Sequence, residues 1–199
     1  MERDDYYYTI KAPSKGLFKD RGSKFIALAF PVQNEDEAME RLKEVKKEYY
    51  DARHHCYAYR INPENEIYKS SDDGEPSGTA GKPILNQLLS KELFNIIVIV
   101  VRYFGGTKLG TSGLINAYKT AARESLSDAD VTKVLITRTI TLEYEYPLMN
   151  TVMRIIKDEN LTVAEQKFEL SCLLTLKVEK SREKLIRKKF ETIFGVTVK

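Results

Sequence analysis

One stretch limits the fold more than any other: residues 95–126, NIIVIVVRYFGGTKLGTSGLINAYKTAARESL. It opens on six apolar, β-branched residues, Ile96 to Val101, set between Asn95 and Arg102. So short a run without polar alternation predicts a strand covered on both faces, because a face in water would carry polar residues at every second position. Gly105, Gly106, Gly110 and Gly113 then fall within nine residues, which lets the backbone take positive φ or lie close to another chain segment. After Gly113 the period changes. Leu114, Ala117, Tyr118, Ala121, Ala122 and Leu126 follow helical spacing, with Ser112 as the expected N-cap. A strand leading through glycines into a helix start brings together free N–H groups and the positive end of the helix dipole, an arrangement that favours an anion.

Two readings of that loop stand side by side. The spacing from Gly105 to Gly110 is that of a phosphate-gripping P-loop, but Thr111 and Ser112 stand where its Lys and Ser/Thr belong, and Lys108 is not an equivalent. The first reading is a weak anion site without fast nucleotide hydrolysis, formed by Arg102, Gly105, Gly106, Lys108, Gly110, Thr111, Ser112 and Gly113. The second is a tight turn whose glycines pack a helix onto a sheet.

A length of 199 residues allows one large or two small domains. With 42% hydrophobic and 31% charged residues the chain can bury a sizeable core, and a net charge of +3 is too small to announce a nucleic-acid binder. Cys56 and Cys172 lie far apart, as in a reducing compartment. The start, Met1-Glu-Arg-Asp-Asp, is polar and predicts no signal peptide, and no apolar run is long enough to span a bilayer. The expectation is a cytoplasmic protein with no membrane partner. Charge is uneven: residues 1–132 hold 19 basic and 20 acidic side chains, residues 133–199 hold 13 and 9. The basic excess gathers at Arg182, Lys184, Arg187, Lys188 and Lys189, a candidate RNA-contacting helix face that is otherwise a solvated one.

Along the chain, strands are expected at residues 6–11, 17–19 and 24–32. Asn34 caps a helix with Glu37 three residues on, and Ala38, Leu42, Val45 and Tyr49 form its apolar face. Residues 53–61 and 66–70 read as a hairpin around Asn62-Pro63-Glu64-Asn65. A second glycine-rich loop, SDDGEPSGTAGKP, spans residues 71–83 and leads into a short helix at 84–89 with Pro83 in its first turn. Residues 127–132 are polar and aperiodic, which places a domain boundary there: domains at 1–132 and 133–199. The second half reads β-α-β-β-α-β, with strands at 136–146, 161–166, 168–178 and 196–198. Its helices are a first one opened by Pro147, with Val152, Ile155 and Ile156 inward, and a second capped by Ser181, with Leu185, Ile186, Phe190 and Ile193 inward.

Four segments then identify a relationship: Ser23-Lys-Phe-Ile-Ala27, His54-His-Cys-Tyr-Ala-Tyr-Arg60, the run from Asp72 to Pro83, and Val101-Arg-Tyr-Phe-Gly-Gly-Thr-Lys-Leu-Gly110. In this order they closely resemble the YigZ/IMPACT family, over most of residues 15–126. The last third resembles the small C-terminal domain of the family's bacterial YigZ branch. Ser112 departs from the pattern, which has a second glycine there. The resemblance implies an α+β protein: an N-terminal ribosomal-protein-S5-domain-2-like domain, then a small ferredoxin-like domain similar to the last domain of elongation factor G. Eukaryotic relatives restrain a starvation-activated kinase that acts on translation initiation, so the resemblance implies a non-enzymatic regulatory or binding role in or near translation. The expected partners are the translation machinery, its regulators or RNA. The rival class is an enzyme or binder acting on a phosphate-containing small molecule through the glycine loops.

The remaining candidates carry less. In a strand His54 and Cys56 share a face and His55 points away, which suits packed, hydrogen-bonded residues better than a zinc site or a nucleophilic pair. Asp72, Asp73, Glu75 and Lys82 form a second-loop candidate. Its acids could serve hydrolysis or Mg²⁺, or simply bond the loop backbone as turn acids do. No catalytic residue, metal or cofactor is assigned.

Overall fold

The computed structural model describes residues 5–168 and 171–199. Met1 to Asp4, the polar start, and positions 169–170, within the strand expected at 168–178, lie outside the described residues. The described residues divide into two compact units, residues 7–134 and residues 135–199 with Asp5 and Tyr6.

The first unit is built on a five-stranded antiparallel sheet. Its strands are Ser14–Asp20 (β2), Ser23–Pro31 (β3), His54–Ile61 (β4), Ile67–Ser71 (β5) and Ile96–Tyr103 (β6), in the order β2-β3-β6-β4-β5. The apolar run takes the middle place. Ile96, Val98 and Val100 face the helices Gly81–Ser90 (α2) and Gly110–Ser127 (α3), while Ile97, Ile99 and Val101 face the helix Glu35–Glu48 (α1). All six are 0% exposed, which is why the run lacks polar alternation, and each contributes about 2 kcal/mol of apolar burial. Asn34 caps α1 as expected, its Oδ1 accepting from the Glu37 N–H at 2.9 Å, while Glu37 reaches back to the Gln33 N–H at 2.8 Å. The inward face of α3 holds all six residues assigned from its spacing.

One element escaped the sequence pattern. Val131–Leu135 (β7) is a strand paired with Tyr6–Ile10 (β1), although its first part falls in the aperiodic 127–132 stretch. Its burial alternates between exposed and half-buried, so the signal in composition is faint.

The second unit follows β-α-β-β-α-β: Thr137–Tyr144 (β8), Met149–Asp158 (α4), Thr162–Phe168 (β9), Cys172–Glu179 (β10), Glu183–Glu191 (α5) and Val196–Val198 (β11). The sheet order is β11-β8-β10-β9, the fourth, first, third and second strands of the motif, which is the ferredoxin-like arrangement. Ile140, Leu142, Leu174 and Leu176 meet Val152, Ile156, Ile186 and Phe190 in its core. Two local expectations are corrected. Ser181 lies in a 3-10 turn, Lys180–Arg182, so Arg182 and not Ser181 holds the cap position of α5. Leu185 is 56% exposed, because the face of α5 that packs inward is centred on Ile186 and Phe190.

Candidate functional site at the start of α3

The loop at residues 71–83 folds around one carboxylate. Asp72 accepts from the N–H groups of Gly78 at 2.8 Å, Ala80 at 2.9 Å and Gly81 at 2.8 Å. Burial pushes its carboxyl up, but the three donors outweigh that and hold it below the ordinary carboxylate range. Asp73 is spent on neighbours: it accepts from the His55 N–H at 2.7 Å and from Lys46 at 3.2 Å. Lys82 is exposed in the first turn of α2. Of the four second-loop candidates, Glu75 alone reaches the cleft described below.

Glu75 belongs to a buried polar chain. Arg102 Nη1 donates to Glu75 Oε1 at 2.6 Å, and the Tyr118 hydroxyl donates to the same oxygen at 2.8 Å. The side chains of Arg102 and Glu75 are 8% and 4% exposed. Cys56 Sγ lies 3.3 Å from the Tyr118 hydroxyl and 3.0 Å from the Asp72 carbonyl. Burial pushes both the Cys56 thiol and the Tyr118 hydroxyl far up, which favours their protonated forms. His54 Nδ1 donates to the Asp73 carbonyl at 2.8 Å, and His55 Nε2 to the Tyr49 carbonyl at 3.1 Å. Among the described residues no three His, Cys, Asp or Glu side chains form a group that could hold a metal.

The end of β6 and the start of α3 enclose a cleft of about 520 Å³. Arg102, Lys108, Gly110 and Thr111 line it, as does Glu75. Arg53, Pro76, Phe104 and Leu109, none of them a candidate from the sequence, complete it together with His54, weighed there as a ligand or nucleophile partner, and Leu114, assigned there to the inward face of α3. Phe104 stands just past the end of β6, within the Val101 to Gly110 segment that carries the family resemblance. The lining thus carries three cations, Arg53, Arg102 and Lys108, and one carboxylate, Glu75, which Arg102 engages. The Arg102 guanidinium sits 5.4 Å from the Phe25 ring centre and 5.7 Å from that of Phe104, and its Nε has no hydrogen-bond partner among the described residues.

The helix start differs from the expected one. α3 begins at Gly110 with Leu109 in the cap position, and no side chain caps it. Ser112 therefore lies inside the first turn, and the first-turn N–H groups have no serine bonded to them. Gly110 has φ +74 and nothing within 4 Å of a Cβ placed there, so it is needed for its backbone angle and not for close approach. Gly105 is the close-approach residue: a Cβ on it would lie 1.8 Å from the Gly22 carbonyl carbon, so it packs the loop on the β2–β3 turn. Gly105, Gly106, Ser112 and Gly113 are not among the residues lining the cleft. Close packing, the second reading of the loop, thus applies at Gly105.

The basic cluster of the second unit is partly neutralised. Arg182 meets Glu159 at 2.8 Å, Lys189 pairs with the same carboxylate, and Arg187 approaches Glu183 at 3.9 Å. Lys184 and Lys188 are exposed and have no ion-pair partner among the described residues.

Fold and cleft together define a two-unit α+β protein with a basic cleft in its first unit. The Impact N-terminal domain matches residues 21–126, more than half of the chain. The chain belongs to the IMPACT family. It is 35% identical over 159 residues to "IMPACT family member YvyE" of Bacillus subtilis, covering 80% of this chain and 73% of that one. It is 36% identical over 137 residues to "IMPACT family member YigZ" of Escherichia coli, covering 68% and 67%. A solved structure described as a hypothetical protein superposes with a TM-score of 0.73 at 26% identity, over 98% of this chain and 97% of its own. No described helix is long and apolar enough to cross a membrane.

Proposed function

We propose that this chain is a non-enzymatic regulatory protein of the cytoplasm that acts in or near translation, and that the cleft at the start of α3 takes an anionic group of its partner. Family membership supports the place in translation, through the role the resemblance implies for relatives. The observation that carries the anion site is the uncapped start of α3 set among Arg53, Arg102 and Lys108. The candidate contacts with RNA in the second unit narrow to Lys184 and Lys188, because Glu159 and Glu183 already engage their neighbours.

Co-sedimentation of the full chain with ribosomal particles tests the reading. Association is expected at low salt and should weaken steeply as salt rises, because each phosphate contact releases counterions. Lys108→Glu should weaken it further, and so should Lys188→Glu. A chain that stays at the top of the gradient at low salt overturns the translation reading.

A further inference from the structure

We propose that the cleft binds a nucleoside 5′-phosphate, with the phosphate against the first turn of α3 and Lys108, and the base against Phe104. This deepens the anion-site reading above and rests on it. Three independent features lead to the ligand class. The first is the phosphate end: an 18-residue helix starts there without a side-chain cap, so its orphan N–H groups and dipole face the cleft. The second is Arg102, whose side chain is 8% exposed, lines the cleft, and keeps an Nε without a partner among the described residues. A buried guanidinium nitrogen left unbonded is costly, and an incoming anion that draws the side chain over relieves it. The third is the size and lining. A volume of about 520 Å³ exceeds what a bare phosphate needs and lies in the range of roughly 300–1,000 Å³ typical of organic ligands. Pro76, Leu109 and Leu114 give it an apolar wall, and the Phe104 ring, 58% exposed, is an aromatic platform at its edge.

The same chemistry is offered by a free mononucleotide and by the 5′-phosphorylated end of an RNA. Calorimetry on the full chain at low salt separates them, with inorganic phosphate, AMP, adenosine, and a short oligoribonucleotide carrying either a 5′-phosphate or a 5′-hydroxyl. AMP should bind about tenfold or more tighter than inorganic phosphate, the gain of one stacked base. Phe104→Ala should erase that advantage and leave phosphate binding as it was, and Lys108→Ala should weaken both. Both side chains are exposed, so neither variant endangers the fold. An oligoribonucleotide that beats AMP through its 5′-phosphate assigns the RNA end as ligand; one that does not assigns the free nucleotide. AMP binding no tighter than phosphate, or surviving Phe104→Ala unchanged, overturns the nucleotide inference and leaves the anion site standing. Silence towards both phosphate and AMP removes the two together.

Discussion

Two carboxylates, Glu75 in the first unit and Glu159 in the second, each hold cations, and their settings could hardly differ more. Glu75 is 4% exposed and shares one oxygen between Arg102 and Tyr118, inside a cleft that two further cations border. Glu159 is 19% exposed and answers two part-exposed cations, Arg182 and Lys189. A run of basic residues in a sequence therefore says little about free positive charge. On α5 the run looks dense and is largely matched by its own acids. At the start of α3 the cations are scattered over residues 53, 102 and 108, and the fold concentrates them around a helix end.

The largest effect should come from breaking the buried member of that comparison. Glu75→Gln leaves the Arg102 charge buried with only a neutral partner, at a cost of about 3 kcal/mol in urea unfolding. Millimolar phosphate should restore part of the loss, because an anion in the cleft takes over the missing charge and binds the folded state alone. Glu159→Gln should cost clearly less, since its cationic partners are part-exposed and solvent screens them, and phosphate should not affect it. Equal costs for the two variants, or no phosphate rescue at Glu75, would mean that the cleft does not concentrate charge as its geometry implies.

Much of this fold was legible because period and punctuation agreed. The run at residues 96–101 announced a two-sided strand, the α3 spacing gave its inward face residue by residue, and Asn34 with Glu37 marked the start of α1. β7 escaped because its strand character comes from pairing with β1, far away in sequence. The cleft was half legible for the same reason. Arg102, Lys108 and Gly110 lie next to the glycine signal, whereas Arg53 and Pro76 arrive from other strands and loops, and nothing local marks them. Asp72 and Glu75, three residues apart in one acidic loop, look alike in sequence. The backbone turns the first into a clamp for three N–H groups and sends the second to Arg102.

A smaller effect separates angle from space at the helix start. Gly110→Ala meets no neighbour, so its whole cost is the positive φ, about 1 kcal/mol. Relief of that strain turns the first-turn N–H groups, and the amide shifts that phosphate induces between residues 110 and 114 should shrink. No such variant exists for α5, where Arg182 holds the cap position at negative φ. A Gly110→Ala protein that loses stability yet keeps the full amide response would place the anion on Arg102 and Lys108 alone.

The smallest effect is a mildly acidic pH dependence in the first unit, which holds His55. His55 is 5% exposed, and burial lowers its pKa from the ordinary 6.5. The Tyr49 carbonyl it bonds and the nearby Asp73 carboxylate push the other way without prevailing, while Lys46 and His54 add slightly to the lowering. Between its folded pKa and 6.5 the unfolded chain binds a proton that the folded chain does not. The stability contributed by neutral His55 is thus fully present above 6.5, is lost as pH falls through that window, and changes no further below it. Asp72, whose carboxyl its three N–H donors hold below the ordinary range, contributes stability that is present above 3.8 and is lost as pH falls below it. Hydrogen exchange followed amide by amide from pH 7 towards 5 should show protection falling in the first unit and not in the second. His55→Gln should flatten that slope. A slope that His55→Gln leaves untouched would assign the acid sensitivity to another group and remove this difference between the two units.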